Sequence, residues 1–95
     1  SRQLKAVFLL IDIRHKPSEN DCVMYDWIKE HGYQPIIIAT KLDKINRSQT
    51  QKQVKLLRET LKAGKDARIV PFSAATKQGR EEIYEIIDEI LQGVG

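Results

Sequence analysis

The chain has 95 residues, of which 41% are hydrophobic and 31% charged, and its formal net charge is +3. A chain of this size and composition can build one small hydrophobic core, which excludes the disordered and fibrous classes. No apolar run approaches the roughly 20 residues that cross a bilayer. Its basic residues are interspersed with acidic ones, so a dedicated nucleic-acid face is not expected. A single cysteine predicts no internal disulfide and agrees with a cytoplasmic protein.

The first predicted strand is the apolar run from Ala6 to Ile11. Its apolar residues are continuous and do not alternate with polar ones, as in a parallel strand covered on both faces. A helix is predicted to follow, because Ser18 and Asp21 have the spacing of a capping box and Gly32 can end the helix. The residues predicted for its buried face are Val23, Met24, Trp27 and Ile28.

The second predicted strand is the apolar run from Ile36 to Ala39. The helix after it is predicted to open at Ser48, with Gln51 three positions on, and to end at Gly64. The residues predicted for its buried face are Val54, Leu57 and Leu61.

The third predicted strand runs from Ile69 to Phe72. Pro71 lies inside it and has no backbone donor, so this strand is expected at an edge of the sheet. A last amphipathic helix is predicted to end at Gly93, and its apolar residues are Ile83, Ile86, Ile87 and Ile90.

The alternation of three strands with three helices predicts an α/β fold with a parallel sheet. Right-handed crossovers place the first two helices on one face and allow the third to return over the other. The run from Ala6 to Ile11 would lie at an open edge although it is strongly apolar. The chain starts without methionine, and Ser1 to Leu4 resembles the end of an upstream element. We therefore expect residues 1–95 to form half of one doubly wound domain, with self-association as another way to cover the edge.

Residues 40–43, Thr-Lys-Leu-Asp, follow the second strand and suit recognition of a purine base. Ligands of open parallel sheets bind at the carboxyl ends of the strands. The carboxylate of Asp43 only accepts hydrogen bonds, so it fits the adjacent N–H donors of guanine, which adenine lacks. The stem of Lys41 could lie along a face of the base, and the Thr40 hydroxyl could brace the loop.

Residues 73–76, Ser-Ala-Ala-Thr, follow the third strand and complete the same predicted site. Their small side chains let the backbone approach a flat ligand. An amide of Ala74 or Ala75 could then donate to the guanine carbonyl oxygen, a position where adenine carries a competing donor. The two loops are therefore expected to bind different groups of the same guanine, one loop its N–H donors and the other its carbonyl oxygen.

Strands ending in these two motifs, about 30 residues apart, resemble the fourth and fifth guanine-binding motifs of Ras-like P-loop GTPases. The resemblance extends over nearly the whole chain. Residues 8–15 with Pro17 and Asp21, together with residues 38–45, are similar to the bacterial ribosome-assembly GTPases of the EngB (YihA/YsxC) group. That group commonly has threonine at the first position of the fourth motif, as Thr40 is here.

The resemblance implies binding of GTP or GDP and of Mg²⁺, slow GTP hydrolysis, and a role in assembly of the large ribosomal subunit, often connected with cell division and septation. It implies no catalytic residue in this chain. The nucleotide-binding residues expected from the motifs and from the resemblance are Thr40, Lys41, Leu42, Asp43, Phe72, Ser73, Ala74 and Ala75.

The sequence departs from that family in one large respect, because it contains no phosphate-binding loop of the form G-x-x-x-x-G-K-[ST] and no Asp-x-x-Gly. Phosphate and Mg²⁺ contacts carry the chemistry of such proteins. The chain alone is therefore expected to hold guanine weakly and to hydrolyse nothing, with the Mg²⁺ ligands elsewhere in the intact protein.

Two other interpretations of the whole chain stay open. The chain could be the amino-terminal half of a circularly permuted GTPase, whose phosphate loop would follow Gly95. It could also be a non-enzymatic α/β module that docks on ribosomal RNA or protein without a nucleotide.

Other polar residues are less informative. Asp12 and Arg14 either line the crevice or form a local salt bridge that orders their loop. His15 and His31 have no metal-ligand spacing.

Overall fold

A computed structural model describes residues 6–65 and 67–94. Residues 1–5, which include the suggested end of an upstream element, lie outside the described residues. The elements in chain order are β1 (Ala6–Asp12), α1 (Glu19–Glu30), β2 (Gln34–Thr40), a 3₁₀ turn (Leu42–Lys44), α2 (Arg47–Thr60), β3 (Arg68–Pro71) and α3 (Arg80–Val94). The predicted order of three strands and three helices is confirmed.

The three strands form one parallel sheet in the order β1-β2-β3. Asp12 lies opposite Thr40, and Ala39 lies opposite Pro71, so the carboxyl ends of neighbouring strands are level with one another. β3 lies at an edge of this sheet, as Pro71 predicts. The three loops that follow the strands therefore open on one side of the molecule.

Each face of the sheet carries its own hydrophobic core. The core beneath α1 and α2 is built from Ile11, Ile13, Tyr25, Ile37, Ala39, Leu57 and Leu61. The core beneath α3 is built from Ile36, Ile38, Val70 and Ile86. Alternate residues of β2 enter opposite cores, which explains why its apolar run is continuous. The predicted placement of two helices on one face and one on the other is confirmed.

Helix α1 begins as predicted but buries a different face. Ser18 accepts a hydrogen bond from the Asp21 amide at 3.2 Å, and the Asp21 carboxylate accepts one from the Ser18 amide at 2.9 Å. The buried residues are Tyr25 and Ile28, while Val23, Met24 and Trp27 are 60%, 46% and 45% exposed. The prediction for these three was wrong, because α1 has apolar side chains on two adjoining faces and the face containing Tyr25 is turned to the sheet.

Helix α2 begins earlier than predicted. Asn46 is its N-cap residue, and the Asn46 amide donates to the Gln49 side chain at 3.0 Å. The same spacing of a polar residue and a glutamine occurs at Ser48 and Gln51. The pattern alone therefore does not determine at which of the two polar residues the helix begins. The apolar face is as predicted, since Leu57 and Leu61 are buried and Val54 packs against them.

Helix α3 covers the second face mainly through Ile86, with Ile83 and Ile90 beside it. Ile87 is exposed, although the sequence predicts it in the core. The helix continues through Gly93 to Val94, one residue beyond its predicted end. Among the described residues, no helix is both long and apolar enough to cross a membrane.

Candidate functional site

The ends of β1 and β2 are joined by two hydrogen bonds that fix where the loops begin. The Ile13 amide donates to the Thr40 carbonyl at 3.0 Å, which extends the pairing one residue past β1. The Thr40 hydroxyl donates to the Ile11 carbonyl at 3.3 Å. The Thr40 side chain thus points back to the neighbouring strand and braces the loop.

Lys41 turns the chain sharply after β2. Its backbone is left-handed, with φ 62° and ψ 38°, which is uncommon outside glycine. The turn that follows is closed by a hydrogen bond from the Lys44 amide to the Lys41 carbonyl at 3.0 Å. The Leu42 amide donates to the Phe72 carbonyl at 3.0 Å, so the backbone after β2 is attached directly to the end of β3.

Asp43 and Ser73 bring the two predicted motifs into contact. The Ser73 hydroxyl donates to Oδ1 of Asp43 at 2.7 Å and accepts from the Thr76 amide at 3.1 Å. Ser73 is fully buried, whereas the Asp43 side chain is 23% exposed. The hydrogen bond from Ser73 lowers the pKa of Asp43, with a further contribution from the charge of Lys44. The carboxylate is therefore ionised, held in place and open to a ligand.

Ala74 and Ala75 lie at the exposed tip of the loop that Ser73 anchors. The loop is closed by the Ser73 amide, which donates to the Gln78 carbonyl at 3.0 Å. No hydrogen bond within the described residues uses the amide of Ala74 or Ala75. These two amides are available to a ligand that approaches Asp43.

Asp12 and Arg14 form the local salt bridge that the sequence left as one of two alternatives. The Arg14 guanidinium binds both carboxylate oxygens of Asp12, at 3.1 Å from Nε to Oδ1 and 2.9 Å from Nη2 to Oδ2. The Arg14 amide adds a bond to Oδ1 at 2.9 Å. These bonds lower the pKa of Asp12 from its ordinary 3.8 to about 2.

A cleft of about 410 Å³ borders Asp43 on the side of α2. Its other lining residues include Leu42, Ile45, Arg47 and Gln78. Neither Lys41 nor Ala74 lines it. The cleft therefore adjoins the surface described above and shares Leu42 and Asp43 with it.

Replacing Ser73 with alanine should destabilise the chain by about 1 to 3 kcal/mol, because the Thr76 amide and the Asp43 carboxylate each lose a partner next to a buried position. The pKa of Asp43 should rise toward its ordinary value. Urea denaturation measures the first effect and a ¹³C NMR titration of the Asp43 carboxyl the second. The matched control is Ser48→Ala on exposed helix surface, expected within about 0.5 kcal/mol of the unsubstituted chain. Equal stabilities for the two variants would contradict the role given to Ser73.

Comparison with known proteins identifies relatives of this chain. The chain is 54% identical over 92 residues to the probable GTP-binding protein EngB of Lachnoclostridium phytofermentans, a match that covers 97% of this chain and 46% of that protein. It is 59% identical over 91 residues to the probable GTP-binding protein EngB of Lachnospira eligens, covering 96% of this chain and 43% of that protein. No protein-family profile matches the chain.

A solved structure gives the same fold. The crystal structure of a probable GTP-binding protein engB matches with a TM-score of 0.80 at 22% identity, covering 92% of this chain and 55% of that one. The fold is thus the parallel α/β sheet of that protein. By sequence, the chain belongs to the EngB family of GTP-binding proteins, and it spans about half the length of the curated relatives it matches. The family named from the sequence is confirmed.

Proposed function

We propose that this chain supplies the guanine-recognition part of a GTP-binding protein. The observation that carries the proposal is the hydrogen bond from Ser73 to Asp43 at 2.7 Å, which joins the two motif loops. The relatives named as GTP-binding proteins support it. The residues proposed to bind the nucleotide are Thr40, Lys41, Leu42, Asp43, Phe72, Ser73, Ala74 and Ala75.

The proposed selectivity follows from the hydrogen-bonding capacity of Asp43. A carboxylate offers about four acceptor positions, and Ser73 occupies one of them. The remaining positions can accept the ring N–H and the exocyclic amine of guanine. Adenine would leave the carboxylate unpaired. Its amino group would also face the amides of Ala74 and Ala75, so that donor would meet donor. Sites whose polar groups are covered by the bound base discriminate by about 10⁴ to 10⁵ against a base that leaves those groups unpaired.

The phosphates and Mg²⁺ are proposed to bind outside this chain. Its sequence has no phosphate loop. Among the described residues, no group of three or more His, Cys, Asp or Glu side chains could hold a metal ion. We therefore assign GTP hydrolysis to the intact protein and only base recognition to residues 1–95.

We further propose that residues 1–95 are the carboxyl-terminal half of one domain, with the phosphate loop in the upstream half. The outer edge of β1 is unpaired within the described chain, and Leu10 on it is 64% exposed. Tyr84 and Leu91 on α3 are also exposed. A strand and a helix from the upstream half would cover these groups. Self-association is the alternative, and light scattering that gives the mass of a single chain would reject it.

The cellular role proposed from the resemblance is assembly of the large ribosomal subunit in the cytoplasm, with a connection to cell division. The ribosomal subunit is then the macromolecular partner of the intact protein. The rival module that docks on RNA without a nucleotide would show salt-sensitive RNA binding that survives Asp43→Ala. A phosphate loop found downstream of Gly95 would instead favour the circularly permuted arrangement.

The deciding experiment is calorimetry on the protein extended upstream of Ser1 to the length of its relatives. We expect GDP to bind in the micromolar range or tighter and ADP to bind far more weakly, because only guanine pairs with Asp43. Equal affinities for GDP and ADP would contradict the proposal.

A further inference from the structure

Asp12, at the carboxyl end of β1, faces two cations that come from different loops. One is Arg14, which binds both oxygens of the carboxylate. The other is Lys41, whose Nζ lies 3.9 Å from Oδ2 of Asp12. Arg14 follows Asp12 by two residues, whereas Lys41 belongs to the loop after β2. Asp12 therefore links the first loop to a residue of the proposed base site.

The backbone of Lys41 is held by its neighbours, but its long side chain needs a contact of its own to be held in one place. A left-handed conformation costs a non-glycine residue about 1 to 2 kcal/mol, and such strain persists where surrounding contacts hold the residue in place. The hydrogen bond between Leu42 and Phe72 holds the backbone just after Lys41. The Lys41 side chain can still rotate about its own bonds. Its ammonium group, at the far end of four methylenes, lies 3.9 Å from a carboxylate oxygen of Asp12.

We propose that Asp12 is a positioning residue for the base site, because its carboxylate pairs with the Lys41 ammonium and so keeps the aliphatic stem of Lys41 extended toward β1. A purine that binds Asp43 would then find an apolar strip already in place to lie against. The proposal rests on the proposed function of this site.

Arg14 has a separate part in this arrangement. Its bidentate pair orders the first loop and lowers the pKa of Asp12 to about 2, so the carboxylate stays charged in acid well below pH 4. The competing explanation is that Asp12 only orders the first loop and has no effect on Lys41. The two explanations differ in one respect, because only the positioning role requires Asp12 and Lys41 to depend on each other.

A double-mutant cycle in the protein extended upstream of Ser1 tests this dependence. GDP affinity is measured by calorimetry for Asp12→Asn, for Lys41→Met and for the double variant. We expect Asp12→Asn to weaken GDP binding about two- to fivefold, the range of a partly exposed ion pair. In the Lys41→Met background the same substitution should have no further effect. The effect of Asp12→Asn should also shrink in about 1 M salt, where such pairs are screened.

Arg14→Gln is the matched control, because it removes the bidentate pair and leaves the contact between Asp12 and Lys41. It should show no coupling to Lys41→Met. Additive effects of Asp12→Asn and Lys41→Met, or coupling of equal size for Arg14→Gln, would overturn the positioning role while leaving guanine recognition intact. Absence of GDP binding by the unsubstituted protein would overturn both proposals.

Discussion

Replacing Asp43 with asparagine, in the protein extended upstream of Ser1, should weaken GDP binding and improve binding of xanthosine diphosphate. An asparagine side chain keeps one acceptor but replaces the other with a donor. Guanine presents an amine at the position where xanthine presents a carbonyl oxygen, so the new donor opposes the first base and pairs with the second. We expect GDP affinity to fall about 10- to 100-fold, the scale of a lost hydrogen bond to a charged group. Calorimetry with the two diphosphates measures both changes.

The matched control for this substitution is Asp26→Asn on the exposed side of α1. It removes the same charge from the chain without touching either motif loop, so the ratio of GDP to xanthosine diphosphate affinity should not change. A ratio that moves equally in both variants would show that net charge, and not the Asp43 carboxylate, governs binding. That result would remove the basis of the proposed guanine site.

Replacing Gly79 with alanine should destabilise the chain by about 2 to 4 kcal/mol, the upper range for a single substitution. Gly79 precedes α3 and has φ +88°, a conformation that L side chains rarely adopt. A Cβ at this position would lie well inside contact distance of the Pro71 carbonyl oxygen and 3.2 Å from the Phe72 Cα. Both neighbours are backbone atoms, so relief requires a shift of the loop that carries Ser73. Urea denaturation measures the loss.

Two other glycines provide graded controls for this prediction. Gly32 also has a positive φ, +78°, but a Cβ there would meet nothing within 4 Å, so alanine should cost about 1 to 2 kcal/mol. Gly64 has neither feature, so Gly64→Ala should be close to neutral. If Gly79→Ala proves no more harmful than Gly64→Ala, the close approach of Gly79 to β3 is not important for stability.

The sheet could be predicted from the sequence because its strands carry a strong signal. Each apolar run is continuous and is followed by an amphipathic segment, and Pro71 marks an edge. The faces and ends of the helices were harder to predict. In α1, Tyr25 and Trp27 are both large and amphipathic, and only packing against the sheet decides that Tyr25 is buried and Trp27 exposed. At α2, two polar residues each precede a glutamine by three positions, and local sequence does not choose between them.

The proximity of Asp43 to residues 73–75 could be predicted from the sequence, because the loops after neighbouring parallel strands lie at one edge of the sheet. The hydrogen bond between Ser73 and Asp43 was not predicted. Nor was the contact of Asp12 with Lys41, since the two residues are far apart in sequence and the left-handed backbone of Lys41 has no signal in the residue type. The role of Gly79 was also missed. A glycine immediately before a predicted helix, after a loop of small residues, is the pattern that could have indicated it.

The attachment of the Leu42 amide to the Phe72 carbonyl affects how a ligand would bind as well as where. Because the two loops are fastened to each other in the folded chain, their conformational entropy is lost during folding and not on association. Such preorganisation leaves little for a ligand to rearrange on arrival. Differences in affinity among variants of these loops would then arise chiefly from the dissociation rate of the complex, not from its association rate.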